Sequence, residues 1–361
     1  MSGAEDVVAV GDVDAAWLAG VLTAAGSLRD GTVTRVTRET CGTGQLADSY
    51  RFSLEYEPAG AGPATVVGKF PSEDAASRDF GRRSGYYRNE IRFYEEIATT
   101  LSIAVPTPVH AALAADETEF VLLMEDLSPA RIVDQLVGCT ADEAATVLEQ
   151  IAAVHAGSWR SSELAAVDWL AGTSTSFVGV TDAFPGLTAS FADTYGDLVP
   201  QADIEEAAKL NDHLEAWKDV LNTPQCLWHS DLRADNILFD VNAGARPVAL
   251  LDWQGVGYGP GTIDVAYFLG TSLATETRRE HERDLVGTYQ RALVAHGVDD
   301  YTAEQAWTDY RLQAIHALQT GVFGLGAVKR SERGDRMWRD WIARAAAHTR
   351  DLDSFAVLAA R

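Results

Sequence analysis

Cysteine is scarce in this sequence. Cys41, Cys139 and Cys226 are the only three among 361 residues, they lie far apart, and none belongs to a C-x-x-C pair. That excludes a disulfide framework and a cysteine zinc site, and leaves the three as reduced packing residues expected to be buried. Long apolar runs are also missing, since no stretch approaches the roughly 18 residues of a membrane span. The opening MSGAEDVVAVGDVDAAW is acidic instead of basic and then apolar, so it does not read as a signal peptide and a cytoplasmic location is expected. Basic residues are outnumbered, 29 Lys and Arg against 53 Asp and Glu, for a net charge of −24. A surface of that sign disfavours nucleic acid. It can steer a cationic substrate, or simply keep the chain soluble.

What is present is a globular composition, 47% hydrophobic and 23% charged, in a chain long enough for two domains around a cleft. Residues 12–25 have helical spacing, with Asp12 or Asp14 as N-cap. The period then changes to two. Residues 32–38 and 49–56 alternate, and the glycine-bearing stretch 41–48 between them reads as a long hairpin turn. A third strand is expected over 64–70, a helix over 86–97, and strands over 109–114 and 120–124. This strand-rich order with one helix is an α+β pattern. After Leu127 helices dominate: 140–159, with Thr140 and Glu143 as a capping box, then 204–221, 275–296, 302–318 and 333–358. Two short apolar runs within 226–252 interrupt them, split by a turn around Asn242 to Gly244. The boundary at Leu127 gives an N-terminal lobe, 1–127, and a C-terminal lobe, 128–361.

The chemistry concentrates in Leu227-Trp-His-Ser-Asp-Leu-Arg-Ala-Asp-Asn-Ile-Leu-Phe-Asp240, followed by Val248-Ala-Leu-Leu-Asp-Trp-Gln254. The pattern is H-x-D-x-x-x-x-N, then two short strands, then an aspartate closing a hydrophobic run. Phosphoryl transfer has work for each polar member. Asp231 can accept the proton of an attacking hydroxyl or orient it, and Asn236 and Asp252 offer the hard oxygen ligands that magnesium prefers.

These residues resemble the catalytic loop of the aminoglycoside phosphotransferases and their choline-kinase-like and ecdysteroid-kinase-like relatives. Asp252-Trp-Gln254 and Met124-Glu-Asp-Leu-Ser128 are nearest the ecdysteroid-kinase-like branch. The resemblance implies a bilobal, protein-kinase-like α+β fold, with a small antiparallel-sheet N-lobe, a mainly helical C-lobe, and ATP and Mg2+ as cofactors. It implies Asp231 as the catalytic residue and Asn236 and Asp252 as metal ligands. Lys69 looks like the strand lysine that contacts nucleotide phosphates, and Glu90 like the helix carboxylate that holds it. Gly42, Gly44 and Ser49 resemble the loop over the phosphates, although the third glycine of G-x-G-x-x-G is missing. Met124, Glu125 and Asp126 occupy the hinge, where backbone groups meet adenine. His229 and Asp264 resemble bracing residues of the catalytic loop, and His155 and Trp159 read as core.

Only Trp253 to Ile263 separate Asp252 from Asp264, whereas protein kinases place a long peptide platform there. A protein substrate is therefore not expected. The implied reaction moves a γ-phosphate to a hydroxyl of a small-molecule alcohol or amino-alcohol. Acidic pocket residues would suit an amine such as an aminoglycoside. The aromatic series Trp307, Tyr310, Phe323, Trp338 and Trp341 would suit a flatter alcohol. A nucleotide-binding pseudokinase is the reading from another class, and the presence of Lys69, Asp231, Asn236 and Asp252 speaks against it.

Overall fold

Period-two alternation in the first third of the chain builds a five-stranded antiparallel sheet. Its strands are β1 (Thr32–Cys41), β2 (Ala47–Glu57), β3 (Thr65–Pro71), β4 (Pro108–Leu113) and β5 (Phe120–Glu125), in the order β1-β2-β3-β5-β4. The computed structural model describes residues 7–42, 46–101, 104–221, 223, 225–327 and 332–361, the side chains of 172–175, 326, 327 and 333 excepted. Helix α1 (Ala15–Ala24), capped by the Asp14 carboxylate on the Trp17 N–H, lays Leu18 and Leu22 on one face of the sheet against Phe52, Val66, Val121 and Leu123. Phe120, Leu122 and Met124 point the other way, toward Tyr87, Ile91 and Phe93. The two faces of β5 are thus both buried, which explains why its sequence is a continuous apolar run.

Helix α3 (Tyr86–Arg92) covers that second face with α2 (Ala75–Arg83) packed against it, and α3 runs on into a π-helical turn over Phe93–Ile97. Lys69 shares its parity in β3 with Val67, so it projects to the α3 side.

The C-terminal lobe is mostly helical: α4 (Ala141–Gly157), α5 (Asp168–Tyr195), α6 (Gln201–Ala208), α7 (Leu214–Leu221), α8 (Thr262–Ser272), α9 (Thr275–Ala295), α10 (Ala303–Ala327), α11 (Glu332–Asp351) and α12 (Ser354–Ala359), short turns aside. The expected capping box opens α4, with Thr140 and Glu143 exchanging hydrogen bonds. Every residue of α8 is buried, so this helix is the post around which the lobe packs. Short strands carry the site: β6 (Arg131–Ile132), β8 (Ile237–Asp240) and β9 (Arg246–Leu250) form one sheet, and β7 (Cys226–Trp228) pairs with β10 (Gly257–Gly259). The molecule is a bilobal α+β structure of the protein-kinase type.

Several helices differ from the sequence expectation. The 28-residue α5 is a new element, because Gly172, Gly179, Pro185 and Gly186 punctuate it like loop residues while tertiary packing keeps it helical. The single helix expected over 204–221 is two, divided at Lys209–Asp212, where the weak helix formers Asn211 and Asp212 sit. The one expected over 333–358 breaks at Asp353, whose φ of 53° is left-handed. Cys139 and Cys226 are buried as expected, whereas Cys41 is only half-buried.

Candidate active site

The candidate catalytic loop follows β7 and ends in the tight turn Ala234–Asn236. The start of its backbone is held by one side chain. Asp264, fully buried in the first turn of α8, accepts from the His229 N–H at 2.6 Å and from the Ser230 N–H at 2.8 Å. His155 Nε2 lies 3.1 Å from the same carboxylate, and His155 Nδ1 is 2.8 Å from the Tyr289 hydroxyl. Ser230 sits at φ 68°, a conformation that costs a non-glycine residue free energy and persists because Asp264 bonds it on one side and its own hydroxyl donates to the Gly255 carbonyl at 2.7 Å on the other. A Cβ at position 255 would overlap the Ser230 hydroxyl, so glycine is required there.

His229 is buried, with Nε2 2.8 Å from the Leu251 carbonyl, and so ties the loop to the end of β9. Its ring packs on Trp253 at 4.6 Å, and Trp253 stacks on Phe93 of the π-helical turn at 4.2 Å and 6°. A continuous aromatic column therefore joins the two lobes behind the cleft.

Asp231 emerges from this braced loop. Its carboxylate accepts from the Asn236 amide at 2.9 Å, from the Tyr267 hydroxyl at 2.9 Å and from Arg233 at 3.2 Å. Asn236 Nδ2 also donates to the Asp231 backbone carbonyl. Arg233 in turn pairs with Asp235 at 2.7 Å. Asp252, at φ 64°, turns its side chain back toward the cleft, where Lys69 donates to it at 2.8 Å and Gln254 at 3.3 Å. Lys69 pairs with the buried Glu90 at 2.7 Å, so one ammonium joins β3, α3 and the strand end before the Trp253 turn.

Electrostatics follow from that burial. Desolvation alone would lower the pKa of the Lys69 ammonium, but Asp252 and Glu90 outweigh it and hold the cation firmly protonated. Burial raises Glu90 despite the opposing pull of Lys69. In Asp252 the order reverses: burial would raise it, and Lys69, His229 and Arg233 bring it below the ordinary carboxylate range. Tyr86, at the start of α3, is pushed up to about 12 by burial and by the charges of Asp231 and Asp252, so it faces the cleft as a neutral hydroxyl.

Among the described residues no trio of His, Cys, Asp or Glu makes a metal cage. The donor set of Asn236 and Asp252 nonetheless fits magnesium, which takes one or two protein oxygens and completes its shell with phosphate and water. Asn236 spends its amide nitrogen on Asp231, which leaves its oxygen as the group to offer.

On the roof of the cleft, Gly42 has φ 79° just after β1, while Ser49 pairs with Cys41 and with Lys69. Gly44 lies outside the described residues. At the hinge, the Glu125 carboxylate accepts from the Thr107 N–H at 2.8 Å and pairs with Arg246 at 3.0 Å. Asp126 pairs with Arg51 at 2.7 Å. Both side chains are thus engaged in joining elements of the fold. Tyr310 is fully packed and donates to Glu282, which removes it as a pocket wall, whereas Trp341 donates to the Ala317 carbonyl and borders a small cavity with Thr271 and Arg344.

Two residues at the site escaped the sequence reading. Arg233 had a signal, a cation two positions after Asp231. Tyr267 had none, being one aromatic in a wholly buried helix.

The profile of the ecdysteroid kinase-like family matches residues 44–298. An uncharacterized kinase-like protein of Caenorhabditis elegans is 28% identical over 112 residues, 31% of this chain and 30% of that protein. The match therefore spans about a third of the curated relative's length. Among solved structures, an ethanolamine kinase of Plasmodium vivax superposes with a TM-score of 0.54 at 9% identity, over 92% of this chain and 85% of the other. A GDP complex of a mutant aminoglycoside 2'-phosphotransferase-IIIa superposes with a TM-score of 0.50 at 13% identity, over 92% and 95%. Both are similar in fold. No described helix is long and apolar enough to cross a membrane.

Proposed function

Because the chain belongs to the ecdysteroid kinase-like family, we propose that it is an ATP- and magnesium-dependent phosphotransferase that moves the γ-phosphoryl group to a hydroxyl of a small molecule. The observation that carries this reading is the bonded set Glu90–Lys69–Asp252 facing Asp231–Asn236 across one cleft.

Each residue then has one task. Asp231 orients the acceptor hydroxyl and takes its proton as the new P–O bond forms, while ADP leaves with the electrons of the broken bond. Lys69, held by Glu90, binds the nucleotide phosphates. Asn236 and Asp252 would hold magnesium, which when bound neutralises charge on the transferred group. Arg233 adds a second cation beside Asp231, where anionic charge passes. Met124 to Asp126 would lend backbone groups to the base, and the roof residues Gly42, Gly44 and Ser49 would close over the phosphates.

A small acceptor is favoured by the segment between Asp252 and Asp264. Residues 255–264 are buried without exception and pair β10 with β7, leaving no surface for a peptide.

The test is ADP release with magnesium and either ATP or GTP across aminoglycosides, choline-like amines, amino sugars and sterol-like alcohols. Asp231→Asn serves as the blank. A substrate-dependent release that falls roughly 10²–10⁴-fold in Asp231→Asn, with nucleotide binding retained, is the expected result. Nucleotide binding with no release from any compound would favour the pseudokinase instead. Failure to bind the magnesium nucleotide would overturn the reading.

A further inference from the structure

The two oxygens of Asp231 have unlike neighbours. Oδ2 accepts from Asn236 at 2.9 Å, Arg233 Nε lies between the two oxygens at 3.2 Å from Oδ1 and 3.4 Å from Oδ2, and both of those residues have other duties. Asn236 also bonds the Asp231 backbone and supplies an oxygen to the candidate metal site, while Arg233 also holds Asp235. Oδ1 accepts from the Tyr267 hydroxyl at 2.9 Å, and that hydroxyl comes from the floor of the cleft, away from any nucleotide contact assigned above.

Tyr267 is built as a fixed post. It lies three residues after Asp264 on the buried helix α8, so the two side chains share one face of one turn. The same turn thereby grips the loop backbone through Asp264 and the loop's carboxylate through Tyr267. The Tyr267 ring is 1% exposed and wedged between His316, at 5.6 Å, and Trp341, at 5.3 Å, from α10 and α11. Burial beside Asp231 also raises its phenol well above the usual range, so it stays a neutral hydroxyl that donates a hydrogen bond.

Resting on the phosphotransferase reading, we propose that Tyr267 is a positioning residue: it fixes the rotation of the Asp231 carboxylate through Oδ1, so that Oδ2 stays aimed at the acceptor when Asn236 and Arg233 turn to the nucleotide. A hydroxyl meeting a pre-aimed oxygen gains the rate advantage of fixed geometry, whereas a freely rotating carboxylate has to be oriented at each turnover.

The test uses the full chain, magnesium-ATP and water as acceptor, so that it needs no identified substrate. Tyr267→Phe removes one hydroxyl from a packed ring. The expected result is a kcat for ATP hydrolysis lowered roughly 10- to 100-fold, the scale of one hydrogen bond to a charged group, with KM for magnesium-ATP within about twofold of wild type. In an Asp231→Asn background the same substitution is expected to change nothing further, because the group it aims has gone. An equal fold-loss in both backgrounds, or a loss shared by kcat and KM, would make Tyr267 merely structural. The second readout is the crystal structure of Tyr267→Phe, where a carboxylate unmoved from its wild-type rotation sinks the proposal even if hydrolysis is too slow to time. A wild-type hydrolysis rate in Asp231→Asn alone would instead break the phosphotransferase reading, leaving the geometric readout to judge Tyr267.

Discussion

The floor and the roof of the cleft are held by different kinds of bond. In the floor, the Asp264 carboxylate grips main-chain N–H groups of His229 and Ser230 from inside the lobe, with His155 behind it. Toward the roof, Lys69 is held by two carboxylates, Glu90 and Asp252, all three of them side chains at the lobe junction. A buried main-chain clamp has no alternative partner, so it defines geometry and keeps it. A cation shared by two carboxylates can keep one of them and turn to a phosphate, provided that another cation takes over the carboxylate it releases. The difference matches what the proposed function would ask of each side, since a catalytic carboxylate profits from a fixed position and a nucleotide site has to open and reload.

Removing Asp264 should separate the two regions most strongly. Asp264→Ala leaves two buried N–H groups without an acceptor and the left-handed Ser230 with only its bond to the Gly255 carbonyl for support. The expected loss is about 3–5 kcal/mol of unfolding free energy, read by urea denaturation. Asp264→Asn, which keeps the shape, should fall between that variant and wild type. A loss below about 1 kcal/mol in Asp264→Ala would mean that the floor is no better fixed than the roof.

The floor also carries an acid weakness of its own. His316 is fully buried against Tyr267, Trp228 and Phe177, and neither ring nitrogen has a hydrogen-bond partner of good geometry. Burial pushes its pKa down to about 4, against weaker upward pulls from Asp264 and the Ser230 backbone. The unfolded chain protonates this histidine near pH 6.5 and the folded chain only near 4. Stability present at pH 7 is therefore lost as pH falls through that window, by up to about 3 kcal/mol at its foot. His316→Phe should remove that part of the acid slope. Parallel curves for the two proteins between pH 7 and 4 would show that His316 is solvated, and the floor more open than its packing indicates.

Much of this site was legible in the chain, for a physical reason. Asp231, Asn236 and Asp252 lie within 22 positions because one loop and one hairpin carry them, so their spacing survives as a pattern. Lys69 and Glu90 were legible by order, a strand cation before a helix carboxylate. Asp264 was legible as a polar residue at the start of an apolar helix. Tyr267 was not, because where every residue is buried no periodicity marks the one whose hydroxyl matters. The fold divides the same way. The alternation of β2 and β3 announces a sheet with one polar face, whereas α5 has glycine and proline at loop-like spacing and is helical through tertiary packing.

The roof can be tested by the smallest effect. Lys69→Met takes from Glu90 the cation that opposes its upward shift. The folded carboxyl then holds its proton to higher pH than the unfolded one, whose ordinary value is 4.5. More protons in the folded than in the unfolded state make stability fall as pH rises, by at most about 1.4 kcal/mol per unit for one group. Lys69→Met should therefore lie close to wild type in urea midpoint at pH 5.5 and drop away from it by pH 8. Adding Glu90→Gln should close the gap, since no charge is left to desolvate. A gap that stays constant from pH 5.5 to 8 would mean that Glu90 keeps its charge without Lys69. The roof would then be fixed by something other than this ion pair, and the contrast with the floor would fail.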